Sequence, residues 1–408
     1  MVRLPLLLSL AVCAGIFIGA NVFDKSGPKA ASISKNAKKF RDVISYIERY
    51  YVDSVKSDEL TDYAIEKMLE RLDPHTSYIP SEEFELANAP LQGNFEGIGI
   101  EFNIFKDTVQ VVSVVSGGPS EQVGLKPGDR IIKVEGESVA GKDISNMDVV
   151  NMLRGEKGSK VKVGVYRKSL KETIDFTITR DKIPTYTVDV SYMLNNNIGY
   201  LKLSRFGLKT TEEFKEHMEK LQASGMQRLI LDLRDNGGGY LDKAVDLADA
   251  FLEKDKLIVY TDGQGRKFDD EYHSTTRGNF EKAPLIVLIN ENSASASEIV
   301  AGALQDNDRA LLVGRRSFGK GLVQKPIRLV DNSELRLTIS KYYTPSGRSI
   351  QKPYEDGLEY ERDLLERYKH GEFFHADSII LNEELEYKTL NGRTVYGGGG
   401  IMTDYFVP

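Results

Sequence analysis

The sequence predicts an α+β/α/β multidomain chain: N-terminal helices, then a compact β-module, then an α/β layered core. Three observations predict it. Residues 37–85 read as helical, with Phe40, Val43, Ile44 and Ile47 at helical spacing. Residues 86–180 break into short β-patterned runs divided by Gly, Pro and Asp. From about 185 onward apolar strands alternate with helices, the pattern of a sheet covered by helical layers. A chain of 408 residues has room for all three parts. Its net charge of −7 and the lack of any basic run argue against a dedicated nucleic-acid binder.

The first segment, 1–25, is a signal anchor or a signal peptide. Residues 4–23 are nearly all apolar and follow Arg3, and as a helix they would span about 30 Å. A small-residue cleavage site could end at Ala20, but Ile18 fits poorly two positions earlier. Cys13 follows Leu10, Ala11 and Val12, where a lipid-attachment box would need a smaller residue than valine. Each alternative implies an extracytoplasmic place, in the periplasm or cell envelope, and the anchor makes the membrane a partner through 4–23.

Residues 26–85 form the N-terminal helical region, whose second helix ends before Asp73-Pro74. Within 86–180, strands are expected at 98–105, 108–115, 130–134, 160–166 and 172–179, with helices near 119–123 and 143–153. The core, 185–350, has strands expected at 198–203, 228–233, 257–260, 284–289, 310–313 and 335–343. Its helices fall at 211–223, 240–252 and 295–306. The stretch 351–408 holds 12 acidic and 6 basic residues, so nearly all the net charge lies there. Cys13 is the one cysteine, so no disulfide forms within the chain. The five histidines are scattered without metal-binding spacing, and no metal or cofactor is implied.

Four constellations carry chemistry. Residues 293–299, Ser-Ala-Ser-Ala-Ser-Glu-Ile, follow an apolar strand and open an apolar helix. Such a junction exposes a side chain and aims free N–H groups at it, as a nucleophile and its oxyanion hole require. A serine-rich N-cap reads the same way. Residues 314–321 match GxxxxGK, but Gly321 stands where a phosphate loop needs Ser or Thr, and a proline-containing β pattern follows. Lys320 remains notable in that loop, because a desolvated amine can act as general base; the plain alternative is a surface lysine. Residues 232–239, Asp-Leu-Arg-Asp-Asn-Gly-Gly-Gly, leave a strand into a glycine turn that can present N–H donors, or simply turn tightly. Gly97, Ile98, Gly99 and Ile100 open the β-module as a nest for a carboxylate beside a strand edge that can accept a peptide. Val149, Val150 and Leu153 on the facing helix offer the other groove wall.

These motifs, GIGI, LKPGDRI, DLRDNGGG, SASASEI and FGKGLVQ in order, resemble those of the carboxyl-terminal processing peptidases, tail-specific serine proteases with a PDZ domain. The resemblance runs from about 37 to 350. It implies that 86–180 is the PDZ domain and 185–350 the protease core with a Ser-Lys dyad, leaving 351–408 as a C-terminal acidic region. It implies Ser295 as nucleophile, Lys320 as base and Gln324 as the residue that positions the amine. Gly238 and Ala296 would supply the oxyanion N–H groups. No histidine lies near these motifs in the sequence, which fits a dyad that needs none. Gly97, Ile98, Gly99 and Ile100 would bind apolar C-termini of protein or peptide substrates. Arg154, at the end of the groove helix, is a candidate for gating. Nucleic acid is not a partner, and a homo-oligomer is left open. The alternative function is an inactive PDZ scaffold that binds tails without turnover.

Overall fold

The computed structural model describes residues 28–408, apart from 277 and 356. The apolar segment 4–23, and with it Cys13, lies outside the described residues. No helix among the described residues is long and apolar enough to cross a membrane. The chain divides into two compact units, one ending at Leu72 and the other Asp73–Pro408. The first holds α1 (Pro28–Tyr50) and α2 (Ser57–Leu69). Phe40, Val43, Ile44 and Ile47 set an apolar stripe along α1.

The second unit starts past that helical pair, and the helical reading of 37–85 fails at its far end. β1 (Ser77–Ile79) buries Tyr78 and Ile79, and α3 (Phe84–Gln92) follows. Three residues are too few to show a strand period, and a long-range pairing fixes this one. β2 (Asn94–Gly97) then leads into the β-module.

The module comprises β3 (Ile100–Ile104), β4 (Val109–Val114), α4 (Pro119–Gln122), β5 (Arg130–Val134), β6 (Glu137–Ser138), α5 (Asn146–Leu153), β7 (Lys160–Arg167) and β8 (Glu172–Thr179). Its sheet runs β3-β4-β5-β7-β8, with β6 beside β5. Alternate residues of β7 and β8 point inward, so Val161, Val163, Val165 and Ile178 are buried with Val109, Val111 and Ile131. A capping box at Ser145 and Asp148 starts α5.

The exit strand β9 (Asp181–Pro184) pairs antiparallel with β2, Gly97 opposite Asp181. The connection from the β-module to the core at 181–184 is therefore half of a two-stranded ribbon. Ile183 is buried in it, and a Cβ on Gly99 would come within 3.0 Å of its Cδ1.

The core adds β10 (Val188–Met193), β11 (Ile198–Leu203), α6 (Thr210–Ala223), β12 (Arg228–Asp232), α7 (Leu241–Asp249), β13 (Leu257–Gly263) and β14 (Glu271–His273). After them come β15 (Leu285–Ile289), α8 (Ala296–Asp306), β16 (Leu311–Gly314), β17 (Leu322–Arg328), β18 (Glu334–Tyr343) and α9 (Gly357–Lys369). The chain ends with β19 (Glu386–Lys388), β20 (Thr394–Tyr396) and β21 (Tyr405–Phe406).

The main sheet runs β10-β11-β12-β15-β16-β21, parallel from β11 onward. Leu229, Leu231, Val287, Ile289 and Leu312 are buried in it against Val300, Ala303 and Leu304 of α8. The strands expected at 257–260 and 335–343 do not join it. They belong to a second, antiparallel sheet, β1-β18-β13-β14 with β17 also on β18.

Residues 351–408 do not stand apart as an acidic region. β21 extends the main sheet, and Asp404 accepts the Leu312 N–H at 2.8 Å. The acidic side chains there find cationic partners: Glu372 pairs with Arg316, Asp404 with Arg393. Composition alone could not show those partners, which lie far away in sequence or across turns.

Candidate active site

β15 delivers the chain into a turn from which Ser295 caps α8. Ser295 has φ 55° and ψ −113°, left-handed backbone that a non-glycine residue adopts at a cost of about 1–3 kcal/mol. The neighbouring serines hold this elbow. Ser293 Oγ donates to Leu233 O at 2.8 Å and Ser297 Oγ to Asn236 O at 2.8 Å, both fully buried. Ala294 N donates to Asn236 O at 3.0 Å. The outer serines therefore pin the elbow to the glycine turn and leave Ser295 facing the cavity.

Lys320 sits in the loop between β16 and β17. Burial lowers its amine below the ordinary lysine value, and Arg336 pushes the same way against Glu298 and Asp73. Glu298 is fully buried between the two residues. Its Oε2 accepts the N–H of Ser295 at 2.8 Å and of Lys320 at 2.8 Å. Its Oε1 accepts Ser317 Oγ at 2.5 Å and Gly319 N at 2.7 Å. Burial pushes the Glu298 carboxyl up to about 7, against these four donors. Tyr342 completes the frame: its hydroxyl donates to Ser295 O at 3.1 Å and also to Lys320 O.

The glycine turn follows β12. Asp232 is buried, pairs with Arg234 at 2.5 Å and accepts the Tyr200 hydroxyl at 2.6 Å. Gly238 lies against the elbow at φ +99°: a Cβ there would fall 2.8 Å from both Ala294 O and Ser295 Cβ, and 3.0 Å from Ala296 N. Its own N–H is donated to Asn236 Oδ1 at 2.9 Å. Ala296 is the first helical residue, so its N–H has no intrahelical acceptor.

A cavity of about 460 Å3 brings Ser295, Lys320 and Gln324 together with Gly237, Gly239, Leu241, Ile299 and Tyr342. Gln324 Nε2 donates to Thr338 Oγ1 at 3.3 Å, and Thr338 Oγ1 donates to Asp73 Oδ1 at 3.0 Å. Burial raises the Asp73 carboxyl, but hydrogen bonds from Thr76, His75 and Thr338 outweigh it and hold the group below its usual range. His75 also lines the cavity, which no spacing in the sequence suggested. Burial and then Lys320 push it down to about 4, so its imidazole is neutral at pH 7, and Nε2 meets the Tyr360 hydroxyl at 2.6 Å. Among the described residues no group of three His, Cys, Asp or Glu side chains is placed to hold a metal ion.

In the β-module, Gly97, Ile98, Gly99 and Ile100 line a second cavity of about 180 Å3 with Phe95, Phe102, Val150, Leu153 and Arg154. Val149 is not part of this wall; it is buried in the module's core. Arg154 lays its guanidinium over the Phe95 ring, 4.8 Å from the centroid. Arg180, not Arg154, serves the end of α5, donating to Leu153 O and Met152 O at 3.0 Å each.

Comparison with known proteins bears on these two cavities. Residues 197–361 match the model of peptidase family S41, and residues 97–178 that of the PDZ domain. The carboxy-terminal-processing protease of Bartonella bacilliformis is 36% identical over 87% of this chain and 83% of its own length. The chain belongs to the carboxy-terminal processing proteases. CtpB of Bacillus subtilis is 33% identical over 91% of this chain and 78% of its own. Among solved structures, the photosystem II D1 C-terminal processing protease is 30% identical over 76% of this chain and 89% of its own, with a TM-score of 0.45.

The protein is thus a serine-type peptidase with a PDZ domain and an α/β protease core. Glu298, between Ser295 and Lys320, is a residue whose part the sequence pattern does not show. Its position in the first turn of α8 suits the helix dipole, and only the fold reveals that it also reaches the lysine loop. Thr338 and Asp73 carried no readable signal, since they approach Gln324 from distant segments. Asp73 was legible only as a turn residue before Pro74.

Proposed function

We propose that Ser295 is the nucleophile and Lys320 the general base of a peptidase that recognises C-terminal tails through its PDZ domain. One observation carries the reading: the strained Ser295 elbow and the half-buried Lys320 line one cavity while their N–H groups share one carboxylate oxygen. The neutral Lys320 amine takes the Ser295 Oγ proton as Oγ attacks the scissile carbonyl. The resulting ammonium gives that proton to the leaving amine, and water then releases the acyl group with Lys320 again as base. Gln324, tied to Thr338, orients the amine. Ala296 N–H receives the oxyanion. Gly238 joins it as second donor once its N–H leaves Asn236 Oδ1.

In the PDZ domain, 86–180, the nest at Gly97, Ile98, Gly99 and Ile100 takes the terminal carboxylate, and the apolar lining takes an apolar last side chain. Arg154 reports an occupied groove to the β2-β9 ribbon through Phe95. Residues 4–23 hold the enzyme to the membrane with the catalytic part on the extracytoplasmic side. The test is digestion of a tagged unstructured protein bearing apolar or charged C-termini by wild type and Ser295→Ala. Cleavage of the apolar tail by wild type alone is the expected result. Binding with no cleavage by wild type is the result for a tail-binding scaffold.

A further inference from the structure

The loop that carries Lys320 is tied down one backbone group after another, much of it from residues 351–401. Gly321 N donates to Gln351 Oε1 at 2.8 Å, and Gly319 O accepts Lys352 N at 3.0 Å. Ser317 N donates to Ile401 O at 3.0 Å, and Ser317 Oγ accepts Ile401 N at 2.6 Å. Arg367 of α9 adds the forked contact. Its guanidinium donates to two consecutive carbonyls, Arg316 O at 2.7 Å and Ser317 O at 3.0 Å. Its Nε donates to Glu372 at 2.9 Å, and Glu372 in turn grips Arg316 at 2.7 and 2.6 Å. Arg367 and Glu372 are each only 4% exposed, so neither charge has water as an alternative partner.

Ser317 is the joint. The residue whose carbonyl Arg367 holds also donates through Oγ to Glu298, the carboxylate that takes the N–H groups of Ser295 and Lys320. We propose that Arg367 is a positioning residue: from the C-terminal segment it fixes the loop at Arg316 and Ser317, and through Ser317 and Glu298 it sets Lys320 against Ser295. The proposal rests on the reading of Lys320 as general base. A planar guanidinium spreads its donors over a rigid fork and so serves two carbonyls and a carboxylate on different sides, whereas an ammonium gathers three donors at one atom on a flexible stem. A loosened loop admits water to the amine, and a rehydrated amine regains its proton at neutral pH.

The experiment uses the full-length enzyme and Arg367→Lys, which keeps a cation beside Glu372 and loses the fork. Turnover of an unstructured peptide is followed across pH, together with melting temperature and affinity for a tail peptide. The expected result is a kcat lower by about 10- to 100-fold, as small misplacements of reacting groups give. KM and tail affinity should stay within about twofold, the pattern of a loss felt in the transition state. The acid limb of the kcat profile moves to higher pH. A merely structural role lowers the melting temperature while leaving kcat per folded enzyme and the acid limb in place, and that result overturns the proposal. Lys320→Ala separates the two readings. If it retains turnover, the base assignment and the positioning role fall together. If it is inactive while folded Arg367→Lys keeps the wild-type kcat and acid limb, the positioning role falls alone. Should Arg367→Lys not fold, Ser317→Ala cuts the joint to Glu298 with Arg367 still paired to Glu372, and its kcat and acid limb are read in the same way.

Discussion

Ser295 and Lys320 donate their backbone N–H groups to the same oxygen, Oε2 of Glu298, each at 2.8 Å. The elbow leaves β15, and the lysine loop runs from the adjoining strand β16 to β17 of the second sheet, so strand pairing does not itself join Ser295 to Lys320. A single buried carboxylate does, and Tyr342 repeats the link from the carbonyl side by bonding Ser295 O and Lys320 O. Neither contact touches Ser295 Oγ or Lys320 Nζ, and both residues line the cavity.

The first prediction follows for the two side chains. Ser295→Ala and Lys320→Ala should each lower peptide hydrolysis by about 10³-fold or more, since groups acting as a unit fail together. Circular dichroism should show both variants folded. The wild-type rate should rise with pH along an acid limb lying below the ordinary lysine range of 10.5, because burial lowers the Lys320 amine. In stability terms the sign agrees: the depressed amine contributes stability above its unfolded value that is lost as pH falls through its folded one. His75, at about 4, is already neutral on that limb and does not set it. A folded Lys320→Ala enzyme with substantial turnover would defeat the assignment.

Glu298→Gln should be inactive or nearly so. Whichever way the amide turns, its NH2 faces a pair of donors, Ser295 N and Lys320 N or Ser317 Oγ and Gly319 N. Leaving such donors unpaired in a buried site costs about 1–3 kcal/mol each. Denaturant titration should register that cost. The pH dependence adds a sign. A carboxyl raised from 4.5 to about 7 contributes stability that is full below 4.5 and lost as pH rises through about 7. That declining component should be present in wild type and missing in the glutamine variant. Identical pH–stability curves for the two proteins would rule it out.

How much of this was open to a reader of the sequence depends on the range of the interaction. The parallel strands 198–203, 228–232 and 285–289 and helix α8 follow from local apolar pattern. The elbow and the glycine turn follow from small residues placed at strand-to-helix junctions. What the sequence could not disclose is pairing across distance. β1 is three residues long and exists because β18 accepts it. Glu298 reads as a helix-dipole residue until Ser317, Gly319 and Lys320 arrive beside it. Arg367 and Glu372 lie in a stretch with no motif, and their meaning comes wholly from the loop they hold.

Gly238→Ala should abolish turnover, whereas Gly237→Ala should be mild. At Gly238 the added methyl meets Ala294 O and Ser295 Cβ at 2.8 Å, with φ +99°. An L-residue at such a φ costs about 1–3 kcal/mol before any clash is counted. A displacement of Ser295 by about 1 Å would cost about 100-fold in rate. At Gly237 a methyl meets nothing within 4 Å. Steady-state rates of the two variants decide the matter; equal loss in both would show that the turn tolerates no side chain anywhere and that contact with the elbow is not the cause.

Amidating the C-terminus of a substrate should raise its KM and leave kcat nearly unchanged, because the nest at Gly97, Ile98, Gly99 and Ile100 loses a charged acceptor for its N–H groups. Hydrogen bonds to a charged group are worth about 1.5–3 kcal/mol, so the loss should be about 10-fold or more below saturation. Peptides ending in Lys should behave likewise, since the pocket wall of Phe95, Phe102, Val150 and Leu153 is apolar and Arg154 beside it repels a second cation. Equal cleavage of acid and amide peptides below saturation would count against tail recognition by this groove.

The final prediction concerns Arg154. Its guanidinium rests on Phe95 of β2, and β2 pairs with β9 to make the two-stranded connection between the PDZ domain and the core. Arg180 already caps the groove helix, so Arg154 is not needed there. Arg154 also lines the groove. It therefore touches the groove and the connecting ribbon at once. A bound tail can favour an active arrangement only through contacts that differ between the two arrangements, and an arginine shared by tail and ribbon supplies such a contact. Arg154→Ala should accordingly lower kcat on tail-bearing substrates while tail-peptide affinity changes little. Arg154→Lys should restore part of the loss, since an ammonium also packs on an aromatic face, though less well. Phe95→Leu, which removes the ring and keeps the apolar wall, should show the same split. Calorimetric tail affinity set beside turnover gives the answer: wild-type values of both in Arg154→Ala leave Arg154 no part in gating, and a fall in affinity alone makes it a simple groove residue.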